Sequence, residues 1–221
     1  TLAQPVWDEL ADEDWSRSWK QHWQPDPVGQ MLLILPAWLG VPEEHAQRLV
    51  LKMDPGSAFG TGSHPTTRLC LEALEQQPPA TLRVADLGCG SGVLGLAALA
   101  LGARQVLAVD TDSLAVSATA DNAALNGLSV DALRVRQGSV EVLQNLLEQQ
   151  PADLLLCNIL APVIEALAPH FEAVLRPGGR GLLSGLLVEQ APRLTAVLEG
   201  LGWKVRPLAE QARWGLLEIQ R

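Results

Sequence analysis

From about residue 80 onward, short apolar runs alternate with helix-patterned segments, and this alternation restricts the fold more than any other feature. LRVADL (82–87) is followed by a glycine cluster and the Ala/Leu-rich segment VLGLAALALG. QVLAVD (105–110) is the next predicted strand, and SLAVSATADNAALNG a helix that Asn126-Gly127 closes in a left-handed stop. ALRVRQ (132–137) precedes a helix near 139–149. ADLLLCNI (152–159) lacks polar alternation, as a strand covered on both faces should. Val163, Ile164, Leu167, Ala168, Phe171, Val174 and Leu175 recur at helical spacing up to a stop at RPGG. GRGLLSGLL then reads as a strand, Leu194, Val197, Leu198 and Leu201 mark a helix face, and WKVRPLA and WGLLEIQ form a closing pair of strands. The pattern calls for an α/β fold, a mainly parallel sheet with helices on both faces. Its ligand belongs outside the carboxyl ends of the strands.

Composition agrees with one well-filled domain and a smaller appendage. Of 221 residues, 48% are hydrophobic and 19% charged. The net charge of −9 argues against a phosphate backbone as main partner, because such affinity comes from clustered Lys and Arg. It is compatible with a basic protein substrate. Cys70, Cys89 and Cys157 are far apart, as are His22, His45, His64 and His170, so neither a disulfide framework nor a metal site is expected. A reducing cytoplasm is the expected compartment. No apolar run reaches membrane-spanning length, and no basic, apolar leader opens the chain, which starts at Thr1.

The first 45 residues differ from the rest. Trp7, Trp15, Trp19 and Trp23 fall there, the last three on one face of a predicted helix beside the acidic run DELADED. Pro25 and Pro27 end that segment. A base-stacking platform needs a positive groove, so this face is read as a packing surface.

The glycine cluster admits two readings. Gly90-Ser-Gly92-Val-Leu-Gly95 fits GxGxxG, and Asp110 follows where a ribose-binding acid belongs, as in a nicotinamide (NAD) oxidoreductase. The overlapping frame Asp86-x-Gly88-x-Gly90-x-Gly92 is the pattern of S-adenosylmethionine-dependent methyltransferases. Charge favours the second. A carboxylate at Asp86 would repel a pyrophosphate by about 4 kcal/mol at ~4 Å and an effective dielectric near 20. It would attract the ammonium and sulfonium of S-adenosylmethionine instead. Asp110, at the end of its strand, suits both ribose hydroxyls in either reading, while Asp112 or Ser113 is available to cap the following helix.

The fourth strand ends Cys157-Asn158-Ile159-Leu160-Ala161-Pro162. Methyltransferases acting on planar nitrogens often carry Asn/Asp-Pro-Pro-aromatic there; this chain has no aromatic at that place and no tyrosine at all. A non-planar acceptor such as an amine follows, with Asn158 holding the cofactor, the acceptor nitrogen, or both. Amine methylation needs a neutral lone pair, which desolvation and positioning favour without a dedicated acid or base. His64 is the one nearby proton acceptor by sequence, set against a helix-start or cofactor-packing role. Cys89 and Cys157 read as buried small hydrophobes.

In order, DPGSAFGTGSHPTTRLCLEAL, VADLGCGSGVLGLAALALGA, AVDTD, DNAALNG, ADLLLCNILA and LRPGGRGLLSGLL resemble the bacterial methyltransferase family of large-subunit ribosomal protein L-eleven. DEDWSRSWKQHWQP is similar to that family's linker helix, so the likeness spans nearly the whole chain. It implies a Rossmann-like, doubly wound, seven-stranded, mostly parallel sheet. Residues 1–45 would be linker helix and connection, and 46–221 the S-adenosylmethionine-dependent domain. The implied reaction is trimethylation of lysine side-chain and N-terminal amines on that ribosomal protein, leaving S-adenosylhomocysteine. Thr67, Gly88, Asp110 and Asn158 would contact the cofactor, with Phe59, Gly60 and Thr61 in the surrounding loop. The family carries a further N-terminal domain for substrate recognition, and this sequence begins at about its linker. A non-catalytic adenosyl-binding module is therefore a third expectation, beside the methyltransferase and the NAD enzyme.

Overall fold

A computed structural model describes residues 23–54 and 62–221. Expectations for Trp7, Trp15, Trp19, Phe59, Gly60 and Thr61 lie outside the described residues. The main sheet uses β4 (Arg83–Leu87), β5 (Gln105–Asp110), β6 (Leu133–Gln137), β7 (Ala152–Asn158), β8 (Leu175–Leu187), β9 (Lys204–Gln211) and β10 (Trp214–Gln220). Their order is β6-β5-β4-β7-β8-β10-β9. The pairs β4–β5, β4–β7, β5–β6 and β7–β8 are parallel, while β10 runs antiparallel to both its neighbours. The seven-stranded, mostly parallel sheet anticipated above is thus present.

Helices cover both faces, which explains the missing polar alternation in β4 and β7. Val84, Leu154 and Leu156 pack against α1 (Pro65–Gln76) and α2 (Val93–Ala100) in one core. Ala85, Leu155 and Cys157 point the other way, into a second core. That second layer comes from α4 (Val140–Leu146), α5 (Ala161–Leu167), α6 (Phe171–Val174) and α7 (Ala191–Gly200). Phe171 is fully buried there, a contribution of about 1.5–3 kcal/mol. On the first face, α3 (Ser113–Leu125) ends as its sequence predicts, with Gly127 at φ +67°.

Two local expectations are revised. The helix read across 163–175 is interrupted by a 3₁₀ turn, Ala168–His170, and ends at Val174. Pro169 lacks the N–H that a continuous helix would need there. Leu175 already belongs to β8, whose pairing jumps from Ala152↔Leu175 to Leu154↔Arg180. RPGG is consequently a bulge within the strand and does not precede it.

Ahead of the main sheet lies a three-stranded one that periodicity did not reveal. It comprises β1 (Asp26–Val28), β2 (Leu32–Pro36) and β3 (Leu49–Met53), with β1–β2 antiparallel and β2–β3 parallel. Strands from either side of residue 45 share this sheet. Its Val28, Leu32, Ile34, Leu51 and Met53 are buried in the first core. Glu75 of α1 fastens it by accepting the N–H groups of Gln30, Met31 and Leu32 at 2.7, 2.9 and 2.7 Å. Arg68, also on α1, pairs with Asp26 at 2.9 Å.

Candidate active site

β4 leads straight into the turn 88–92, where Gly88, Gly90 and Gly92 have φ of +77°, +57° and +84°. L side chains rarely adopt these angles. At Gly88 a Cβ would also run into Ile159 Cγ2, so this position combines a left-handed backbone with a close approach to the end of β7. In front of the turn, a cavity of about 450 Å3 opens at the carboxyl ends of the parallel strands. That volume is within the usual range for small-molecule sites, and the position is the one expected of a doubly wound sheet.

Gly88, Asp110 and Asn158 all line the cavity, brought together from the ends of three different strands. Asp110 Oδ2 accepts the Gly90 N–H at 2.9 Å, and Oδ1 accepts the Asp112 N–H at 3.0 Å. The capping of α3 falls to Asp112, which accepts the Leu114 N–H at 2.9 Å. Asp110 is thereby released from helix capping and held by backbone donors, its carboxylate facing the cavity beside the glycine turn. Asn158 Nδ2 donates to Thr67 Oγ1 at 3.3 Å. Thr67 is buried, and its neighbour Thr66 forms the cavity wall at that point.

His64 caps α1. Its Nδ1 lies 2.8 Å from Thr66 Oγ1 and accepts the Thr66 N–H at 3.4 Å. The imidazole meets Trp214 edge-on, with ring centres 4.9 Å apart. With Nδ1 engaged as acceptor at the helix start, the ring favours the structural role over that of proton acceptor. Both rings border the cavity.

Asp86 departs from expectation. It was expected to face a cationic ligand, but its carboxyl is 1% exposed and accepts the Gly95 N–H at 3.1 Å, beneath the turn. Burial pushes its pKa up to about 7; the Gly95 bond opposes this and the charge on Asp110 adds to it. A carboxylate at a strand tip ordinarily faces solvent or ligand. The tight turn instead folds α2 back over it.

Several wall residues carried no signal of their own. Gly138 and Ser139 follow β6, Gly185 lies late in β8, and Trp214 arrives from the antiparallel β10. The general rule that strand ends build the site would have flagged Gly138; only the sheet order brings in Trp214. All three cysteines are buried, and burial raises their thiol pKa values, that of Cys70 to about 12. They are packing residues. Among the described residues, no His/Cys/Asp/Glu cluster suits a metal ion, and no helix is long and apolar enough to cross a membrane.

Comparison with known proteins converges on one group. Residues 2–221 match the family model described as ribosomal protein L11 methyltransferase (PrmA). The ribosomal protein L11 methyltransferase of Parasynechococcus marenigrum (strain WH8102) is 73% identical over 220 residues, covering 100% of this chain and 76% of that protein. A crystal structure of the ribosomal protein L11 methylase from Lactobacillus delbrueckii subsp. bulgaricus superposes with a TM-score of 0.78 at 32% identity, covering 90% of this chain and 99% of that one. The T. thermophilus 16S rRNA N2 G1207 methyltransferase, in complex with AdoMet and guanosine, gives a TM-score of 0.59 at 26% identity over 74% of this chain and 45% of that one. The dinucleotide reading of GxGxxG yields to these matches and to the antiparallel β10 set between β8 and β9, which the dinucleotide-binding strand order does not contain. Matched from residue 2 to its last, the chain belongs to the ribosomal protein L11 methyltransferase family.

Proposed function

We propose that this protein moves methyl groups from S-adenosylmethionine to amine nitrogens of ribosomal protein L11, on lysine side chains and the N-terminus, in the cytoplasm. The observation that carries the proposal is the convergence of Gly88, Asp110 and Asn158 on one cavity at the strand ends. The residues present suit the cofactor: a carboxylate braced by two backbone donors stands where ribose hydroxyls need acceptors, and glycine backbone lets an adenosyl group approach closely.

When bound, the cofactor supplies a methyl group on a cationic sulfur, open to displacement by a neutral amine. The chain's own contribution is to hold and desolvate that amine. Thr67 takes the Asn158 amide N–H, which leaves Asn158 Oδ1 as the acceptor for an amine N–H at the end of β7. Ile159, Leu160 and Val163 make the adjoining wall apolar, and an apolar wall disfavours the ammonium form. Orientation and desolvation together account for the chemistry without an acid–base residue. Thr67 acts through Asn158.

Two measurements test this. Calorimetric titration with S-adenosylhomocysteine should give a saturable isotherm; absence of heat together with saturable NAD binding would overturn the reading. Labelled-methyl transfer to unmethylated L11 should then fall about tenfold or more in Asn158→Ala, the loss of one hydrogen bond to a charged or reacting group. Binding of S-adenosylhomocysteine without any transfer would leave an adenosyl-binding module instead.

A further inference from the structure

Behind the glycine turn, on the side away from the cavity, α3 presents two buried polar side chains. Thr119 and Asn122 are both 0% exposed. Thr119 Oγ1 donates to the Gly90 carbonyl at 2.9 Å, and Asn122 Nδ2 donates to the Ser91 carbonyl at 2.9 Å. Asn122 Oδ1 accepts the N–H of Asp54, just past β3, at 2.8 Å. A single amide thus ties α3, the glycine turn and the exit of the small sheet together. Contact here is tight, since a Cβ on Gly92 would come within 2.9 Å of Thr119 Cγ2.

We infer that Thr119 and Asn122 are positioning residues for the cofactor site, holding the glycine turn in its binding conformation before any ligand arrives. The inference rests on the proposed adenosyl site in front of that turn. Gly88, Gly90 and Gly92 all occupy positive φ, and glycine has more backbone freedom to lose than any other residue. A turn left to itself would spend part of the binding energy on its own ordering. Its front is fixed by the Gly90 N–H on Asp110. Its back is fixed by the Gly90 and Ser91 carbonyls, which accept from Thr119 and Asn122. Thr119 and Asn122 are fully buried, so their two pairs are costly to leave unmade, and with the Asp110 contact they select one arrangement of the turn.

Asn126 provides the internal control. At the C-cap of α3, it accepts the Lys52 N–H at 2.9 Å and donates to the Lys52 carbonyl at 2.8 Å and to the backbone carbonyl of Asn122 at 2.7 Å. It therefore holds the same strand exit as Asn122 without reaching the glycine turn.

The experiment titrates S-adenosylhomocysteine into the full chain and into Thr119→Val, Asn122→Ala and Asn126→Ala, with thermal unfolding and steady-state kinetics on each. Thr119→Val and Asn122→Ala are expected to raise Kd about tenfold, or about 1.4 kcal/mol. KM for S-adenosylmethionine should rise in step while kcat stays within about twofold, the signature of lost ground-state binding. Asn126→Ala should lower Tm and leave Kd alone. Parental Kd in Thr119→Val, or an equal rise in Asn126→Ala, overturns the positioning role. Thr119→Val is nearly isosteric, so it decides the matter even where Asn122→Ala fails to fold. A parent chain that gives no isotherm overturns the proposed site as well, whereas a tight-binding parent with unaltered variants overturns the positioning role alone.

Discussion

The cavity wall made by β4, β5 and the glycine turn is built differently from the wall made by β7 and α5. On the first, hydrogen bonds fix the backbone from both sides: Gly90 N–H on Asp110, Gly95 N–H on Asp86, and two turn carbonyls on α3. On the second, the surface is apolar and partly uncovered, with Leu160 65% and Val163 43% exposed. A wall whose backbone is held from both sides suits one invariant ligand. A wall of exposed aliphatic side chains buries more apolar area only when something lies on it, which suits the stem of an incoming amine side chain. The difference fits the proposed division of one cavity into a cofactor side and an acceptor side.

The largest expected effect lies beneath the pinned wall. Asp86 has its pKa raised by burial from 3.8 to about 7, so the folded state holds the proton more tightly than the unfolded chain. Its contribution to stability is therefore fully present below about pH 4 and is lost as pH rises toward 7, by up to about 1.4 kcal/mol per pH unit. Asp86→Asn keeps an oxygen for the Gly95 N–H and removes the titration. Denaturant unfolding at intervals from pH 4 to 8 should show the variant gaining on the parent across that window, then holding a constant lead. A lead that never changes with pH would mean the carboxyl is ionised throughout.

On the exposed face of the same wall, Asp110→Ala should weaken S-adenosylhomocysteine binding about ten- to a hundredfold with little change in fold, the scale of lost hydrogen bonds to a charged group. Calorimetry checks it, and unchanged affinity would remove Asp110 from the ribose role. The smallest effect belongs to the other wall. Leu160→Ser is expected to shift stability by no more than about 0.5 kcal/mol, as at exposed positions generally. It should raise the acceptor KM about two- to fivefold with the cofactor Kd unchanged, the loss of a modest apolar contact. If the cofactor Kd moves as well, the two walls are not separable.

Much of this was legible beforehand, for local reasons. The runs 82–87, 105–110, 132–137 and 152–159 are short segments rich in Leu, Val and Ala, and each is a strand within a residue or two. Gly88, Asp110 and Asn158 share one cavity because each sits at or just past the carboxyl end of a sheet strand. The small sheet 26–53 is hard to see in the sequence because its strands are three to five residues long and show no regular alternation. It is held by burial against the first core and by Glu75 and Arg68, dozens of residues away. Leu175 was misassigned because its spacing suits a helix and its chain neighbour Val174 ends one, while the pairing with Ala152 that makes it a strand is invisible locally.

Periodicity and glycine placement by themselves determined the α/β class, the strand–turn–helix at 82–100, and the acid at the end of the second sheet strand. Those properties depend on neighbours within a turn or a few residues, where sterics and backbone hydrogen bonding act directly. Tertiary structure alone decided that Asp86 is buried and that Trp214 reaches the cavity through an antiparallel strand. It alone also set Thr67 behind Asn158 and turned Thr119 and Asn122 toward the glycine turn. Each of those outcomes depends on how strands pair and how helices pack over them across the whole core, so no short window of sequence contains it.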